Sequence, residues 1–284
     1  MKAFVCRVWL LGLCAAFGLG ILLSCRGADG RQAPAASPRA SAAPQPGSAQ
    51  DQSRFSALVF SKTGGYRHDS IDEGIAAITA LGAAHRFRVD AGEDAAVFTD
   101  AQLAIYQVVI FLNTTGDILD DQQQAAFERF IRRGGGFVGV HSATDTEYDW
   151  PWYHELVGAY FTSHPAIQPA AIDVVDRRHP STRGLPSRWE RTDEWYNFRS
   201  ALGPDVAVLA TLDETSYSGG TMGANHPIAW YHAYDGGRAW YTALGHTTES
   251  YAESLFLDHL LGGILWAAGE EASAYLPLIA FEER

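Results

Sequence analysis

Histidines that follow short apolar runs are the residues with the clearest chemical potential. Phe137–Val140 runs straight into His141, within Gly134–Thr144 (GGGFVGVHSAT). Ala239–Ala243 leads into Leu244-Gly245-His246-Thr247. Phe55–Phe60 is followed by a polar loop, Ser61–Asp69, that carries Tyr66-Arg67-His68-Asp69. A fourth cluster, Asp193-Glu194-Trp195-Tyr196, supplies an acidic pair. Imidazole is both a metal ligand and a general acid or base near neutral pH. A lone loop histidine is more often solvated or hydrogen-bonded than catalytic; three of them at strand ends, with a carboxylate, form a stronger signal. His68, His141, His246 and a carboxylate are chemically suited to a divalent metal such as zinc, although neither an H-E-x-x-H string nor a closely spaced histidine pair is present. His164, in Ser163-His164-Pro165, is a fifth candidate. His179-Pro180 and His226-Pro227 read as turn elements, His226 being placed before a strand where it could line a site. His85, His154, His232 and His259 read as structural or surface residues.

These side chains need a frame that brings them together. The apolar runs Phe55–Phe60, Phe87–Asp90, Val108–Leu112 and Phe137–Val140 read as buried strands. Between them, Ser70–Leu81 carries Ile71, Ile75, Ile78 and Leu81 at helical steps. Asp120–Arg133 places Phe127, Phe130 and Ile131 on one face and is stopped by Gly134-Gly135-Gly136. Continuous apolar strands alternating with helices predict a single-domain α/β fold with a doubly wound, mostly parallel sheet. In such sheets ligands bind outside the carboxyl ends of the strands, where separate loops can converge. The second half is less regular: Ile172–Val175, Val206–Leu209, Ile228–Tyr231 and Ala239–Ala243 read as strands, and Tyr251–Ala267 as a closing helix.

Composition excludes several functions. The chain has 284 residues, and an acidic balance of −12 argues against a nucleic-acid partner, whose phosphates require a basic surface. Lysine occurs only at Lys2 and Lys62, so Schiff-base chemistry would rest on Lys62 alone. Gly64-Gly65 is not followed by a G-K-[ST] string, and no nucleotide cofactor is expected. The N-terminus has the pattern of an export signal: Lys2 and Arg7 precede the apolar run Val8–Leu23. It ends in Leu22-Leu23-Ser24-Cys25, which resembles a bacterial lipobox and makes Cys25 the expected lipid-attachment residue after removal of residues 1–24. Arg26 to about Arg54 is rich in Ala, Pro and Ser and reads as a tether. The expected setting is the bacterial cell envelope, with membrane contact through the lipid. All three cysteines, Cys6, Cys14 and Cys25, lie in or at the end of the signal. The folded body, expected over residues 54–268 with a short tail after it, therefore has no disulfide and no cysteine nucleophile.

The strings SKTGGYRHDSI, GGGFVGVHSAT, the EWY at Glu194 and HPIAWYHAYDGGRAWYTALGH resemble the trehalose-utilisation (ThuA-like) family, over about Phe55 to Ala268. The resemblance implies a flavodoxin-like sheet of the class I glutamine amidotransferase type. In that superfamily the turn after the corresponding strand carries a cysteine nucleophile; here the position is His141, which excludes thiolate amide hydrolysis. Ser142, one place on, is a poor substitute because its side chain would point elsewhere. The implied substrate is a carbohydrate, a 3-keto-disaccharide or related keto-glycoside. On that reading His141 is base or metal ligand, His68 and His246 are ligands or oxyanion donors, and Glu194 orients a histidine or acts as acid. Tyr66, Tyr196 and Trp230 would offer aromatic faces to the sugar, with His164 among the substrate-binding groups. Two alternatives stand beside it: a non-catalytic sugar-binding lipoprotein, and a metal-dependent hydrolase of another substrate.

Overall fold

The computed structural model describes residues 53–270. The expected signal segment, Cys25, most of the tether and nearly all of the C-terminal tail lie outside the described residues.

The first half follows the apolar runs. Strands β1 (Ser56–Phe60), β2 (Arg88–Gly92), β3 (Val108–Leu112) and β4 (Gly136–Val140) are mutually parallel. Every residue of β3 and β4 is buried, which is why their sequences are apolar without alternation. Helix α1 (Ile71–His85) connects β1 to β2, and the short helix α2 (Asp100–Leu103) lies between β2 and β3. Helix α3 (Asp121–Arg132) connects β3 to β4. The strand order β2-β1-β3-β4 means that the α1 crossover moves one way along the sheet and the α3 crossover the other. Right-handed crossovers then place them on opposite faces, which is the doubly wound arrangement. Helix α3 starts at a capping box: Asp120 accepts from the Gln122 and Gln123 amides, and Gln123 accepts from the Asp120 amide. Helix α1 runs one turn beyond Leu81 and ends at Arg86, whose φ of 61° is left-handed.

After β4 come a 3-10 turn (His141–Asp145), helix α4 (Pro151–Val157) and strand β5 (Phe161–Ser163). The remaining strands are β6 (Gln168–Val174), β7 (Arg188–Asp193), β8 (Asn197–Phe198), β9 (Ala207–Leu212), β10 (His226–Tyr234) and β11 (Gly237–Thr242). Helix α5 (Ser254–Ala267) closes the fold; the Tyr251 end of the expected helix is instead a 3-10 turn, Thr248–Ala252. Strand β11 adds parallel to β4, completing a five-stranded parallel set, and β10, β9, β6 and β7 continue the same sheet antiparallel. Strands β5 and β8 form a separate pair.

The antiparallel extension positions the site. Alternation of direction gives β7 the same sense as β11, so its carboxyl end, Asp193, lies on the same edge as the ends of β1, β4 and β11. In a flat sheet four interstrand steps would separate β7 from β11 by about 19 Å. Yet the Asp193 carboxylate is 3.0 Å from the Gly245 amide, just beyond β11. The extension therefore curls back over the parallel set. The β9–β10 pairing shifts register at Pro227/Ala229 and again at Ala229/Trp230, irregularities of the kind that bend a strand pair.

Helix α5 packs so closely on the start of β4 that Gly136 has no room for a side chain: a Cβ there would lie far inside contact distance of the Ala267 carbonyl. Gly136→Ala should therefore lower stability by about 1–3 kcal/mol, read as a shifted urea midpoint; an unchanged midpoint would show that the helix can yield.

Candidate metal centre

Strand β4 ends in a turn that forces His141 into a left-handed backbone, φ 49°. The residue is fully buried, and its Nδ1 lies 2.8 Å from the Ala243 carbonyl oxygen. A carbonyl only accepts, so Nδ1 carries the proton and Nε2 is left with its lone pair. That lone pair meets His246 Nδ1 at 3.1 Å and Glu194 Oε2 at 3.4 Å, while His246 Nδ1 and Glu194 Oε2 are 3.2 Å apart. A tetrahedral zinc site with bonds of about 2.0–2.1 Å has ligand–ligand edges of about 3.3–3.4 Å. The three atoms thus stand at the spacing of one face of such a site. A ring nitrogen of His68 lies within 4.8 Å of the other ligand atoms, completing a group of three histidines and a glutamate that could hold a divalent cation. A backbone carbonyl bonded to the far nitrogen of a ligand histidine is also usual at metal centres.

Electrostatics suit coordination at His68 and at Glu194. Burial, reinforced by the imidazoles of His141 and His246, pushes the His68 pKa down to about 2, so the ring stays neutral and able to coordinate. Burial pushes the Glu194 carboxyl up, but hydrogen bonds and charge from His141 and His246 outweigh it and hold it well below the usual range. For His246 burial acts downward, and the Glu194 carboxylate, with Asp193 and Asp69, raises it above the ordinary histidine value.

Two of the candidate ligands, Glu194 and His246, are tied together through Asp193. One oxygen, Oδ1, accepts from the Glu194 amide at 3.0 Å and the His246 amide at 3.1 Å. The other, Oδ2, accepts from Gly245 N and lies 3.2 Å from Arg191 Nη2. Arg191 is itself buried, its guanidinium carbon 4.9 Å from the Trp189 ring centre and 5.0 Å from that of Phe256. It also donates to Ser250 Oγ at 2.7 Å. The Gly245 carbonyl is held in turn by Ser70, Asn113 and Tyr251. Gly245 has φ 103°, a conformation only glycine adopts without strain.

His68, Glu194 and His246 form one wall of a pocket of about 320 Å³, with His141 buried behind them; the other walls are Tyr66, Asp145, Phe161, His164 and Tyr196. The four sequence clusters thus converge, and His68, His141, Glu194 and His246 meet. His164 joins them, Nδ1 lying 2.9 Å from Glu194 Oε1 and 2.9 Å from the Pro165 carbonyl oxygen. Tyr66 stands exposed at the rim, edge-on to His68. Tyr196 packs on His141, with ring centres 4.2 Å apart, and on Phe161 at 4.3 Å. Trp230 is a correction: it is fully buried against Tyr241 and donates its indole N–H to the Val157 carbonyl, so it presents no face to a ligand. It lies in mid-strand of β10, and its aromatic character serves the core. His226 is buried away from the pocket, between Glu214 and the Tyr196 carbonyl. Ser142 is buried too, its Oγ 3.4 Å from His68 Nδ1. Asp145 belongs to the strand-end cluster His141–Asp145, whereas Arg191 and Phe161 have no role in the sequence reading; β7 alternates buried and exposed residues (RWERTD), and that alternation is the one available signal for Arg191.

A larger concavity, about 760 Å³, adjoins Tyr148 and is lined by acids. Its buried carboxylate, Glu147, is already engaged by the Ile118 and Leu119 amides and by Gln124. Among the described residues, no group of ligand atoms converges there as at His141.

A doubly wound sheet with its polar site at the strand ends, entered through a histidine elbow, defines the class: an α/β protein of the class I glutamine amidotransferase-like fold without the cysteine. Residues 56–267 match the sequence profile of the ThuA family, described as trehalose utilisation, and the chain belongs to that family. Among solved structures it is similar to a ThuA-like protein of Bacteroides uniformis (23% identity, 78% of this chain and 94% of that one, TM-score 0.66). A second, from Parabacteroides merdae, shares 21% identity over 79% of this chain and 93% of that one, TM-score 0.65. These likenesses establish the fold. A search of curated proteins returns no match.

Asp193→Asn keeps one acceptor oxygen but turns an NH2 toward a backbone N–H. Zinc affinity, read by chelator competition, should fall about 10–100-fold with the far-UV spectrum retained. Unchanged affinity would show that the two ligands need no common anchor.

Proposed function

We propose that this protein is a metal-assisted carbohydrate-processing enzyme, that its metal is zinc, and that its substrates are keto-glycosides such as 3-keto-disaccharides. The observation that supports this most is the triangle of His141 Nε2, His246 Nδ1 and Glu194 Oε2, two of whose residues, His246 and Glu194, line a sugar-sized pocket flanked by Tyr66, Phe161 and Tyr196. Membership of a trehalose-utilisation family points the same way.

A ketone at C3 of a sugar acidifies the proton on C2. Removal of that proton gives an enediolate, and the glycosidic oxygen at C1 then leaves with its bonding electrons, taking up a proton. A divalent cation, when bound, would supply positive charge next to the developing enediolate, an effect worth several kcal/mol. His141 is fully buried with its lone pair directed into the cluster, so its role is ligand rather than base. The base is His164, which is partly exposed in the pocket. Its Nδ1 faces two acceptors, Glu194 Oε1 and the Pro165 carbonyl, and so carries the proton, leaving Nε2 as the basic nitrogen. A positioned base of this kind contributes about 10²–10⁴-fold. Tyr196 and Phe161 hold the sugar ring, and Glu194 holds both His164 and the ligand set. Cys25 remains, in this proposal, the point of attachment to the cell envelope.

The test is metal analysis of the purified protein with an assay on a 3-keto-disaccharide. His141→Ala and chelation should each abolish turnover, and His164→Ala should lower kcat about 10²–10⁴-fold with zinc content unchanged. Full turnover by folded His141→Ala would end the assignment, and sugar binding without product would leave only a binding role.

A further inference from the structure

Asp193 anchors two of the candidate ligands, but it does not hold the rest of the pocket wall. His164 and Tyr196 are supported from outside, by the loop between β9 and β10, residues 213–225. Ser218 exchanges two hydrogen bonds with Gln168: its amide donates to Oε1 at 3.1 Å, and its carbonyl accepts from Nε2 at 2.9 Å. Gly219, with φ 100°, lies so close to Pro165 that a Cβ there would run into the proline ring. Asn197 accepts from the Thr221 amide at 2.9 Å and donates to the Gly219 carbonyl at 3.1 Å. His164 precedes Pro165 and Tyr196 precedes Asn197, so each wall residue is one position from a contact with the loop.

One side-chain pair closes the base of this loop. Glu214 Oε1 accepts from the Met222 amide at 2.7 Å and lies 2.9 Å from His226 Nδ1, with the Tyr217 hydroxyl 3.2 Å from the same nitrogen. His226 is fully buried, and its Nε2 is 2.7 Å from the Tyr196 carbonyl oxygen. That carbonyl only accepts, so Nε2 carries a proton. An ionised carboxylate also only accepts, so the short contact between Nδ1 and Glu214 holds a second proton. One ring thus bonds the base of the loop and the backbone of Tyr196 together. We propose that Glu214 and His226 are positioning residues: they close loop 213–225 into a strap that sets His164 and Tyr196 against the candidate ligands, separately from the Asp193 anchor. The effect on turnover rests on the reading of His164 as base; the strap itself does not.

The experiment uses the zinc-loaded protein and compares wild type with Glu214→Gln, His226→Ala and His226→Gln. Amide hydrogen exchange, zinc affinity by chelator competition and turnover of 3-keto-trehalose are measured on each. Glu214→Gln and His226→Ala should speed exchange at least about tenfold in residues 213–225 and also in 161–168 and 194–198, leaving β1–β4 unaffected. Zinc affinity should be unchanged, and kcat should fall about 10–100-fold, the scale of a small misplacement of a catalytic group. His226→Gln loses the bond to Glu214, but its amide can still donate to the Tyr196 carbonyl. It should therefore exchange fast in 213–225 and 161–168 and slowly in 194–198, and that split decides the matter if the other variants fail to fold. Fast exchange confined to 213–225, loss of zinc from Glu214→Gln, or wild-type kcat in a variant whose 161–168 segment has loosened would each overturn the proposal. Absence of turnover by wild type would instead remove the reading of His164 as base, and the exchange and zinc results would still decide whether the strap exists.

Discussion

A single buried carboxylate, that of Asp193, holds the site together. The parallel strands deliver His141 and His246 to the same edge of the sheet, but Glu194 arrives on β7, which is four pairings removed from β11. Nothing in the strand order itself brings it near. What does so is the capture by Asp193 of three backbone amides, those of Glu194, Gly245 and His246. An isolated buried carboxylate would be costly. Arg191 supplies the opposite charge from the same strand, two residues earlier and on the same face, and β7's alternating pattern buries both. The contacts that fasten the curl therefore also set the distance between two of the candidate ligands, Glu194 and His246.

The elbow after β4 has a complementary role. A left-handed residue at a strand end throws its side chain forward from the sheet edge, and such strain persists only where the surroundings over-determine it. His141 is held by Ala243 through Nδ1, and its carbonyl accepts from Tyr241 Oη at 2.7 Å. The side chain is wholly buried, and its Nε2 faces His246 Nδ1 and Glu194 Oε2, so the turn fixes a lone pair rather than exposing a reactive atom.

Much of this was legible in the sequence because it follows from local pattern. Strands β1, β3 and β4 are apolar runs since both faces are covered, and α3 announces itself through Asp120, Gln123 and the Phe127–Phe130–Ile131 face. The histidine clusters could be placed at strand ends for the same reason. What local pattern cannot carry is the order of strands in the second half. Strand β7 is highly charged because one of its faces meets solvent, so its sequence does not read as a buried strand. Without it, Asp193 and Glu194 read as a generic acidic pair, and Arg191 had no meaning. Trp230 shows the converse error. An aromatic residue near a histidine motif suggests a sugar platform, but period-two alternation on β10 turns this one into the core against Tyr241 and Phe198.

The two oxygens of Glu194 face different tasks. Oε2 lies among the ligand nitrogens of His141 and His246, while Oε1 accepts from His164, the partly exposed histidine of the pocket. A carboxylate shared in this way couples the two. A divalent cation held by this cluster would compete with the His164 N–H for the charge of Glu194. The coupling needs no conformational change, because both partners bond to one rigid group whose backbone is anchored by Asp193. Glu194 thus joins the buried cluster to the pocket through the two oxygens of one group, beside His68 and His246, which reach the same pocket themselves.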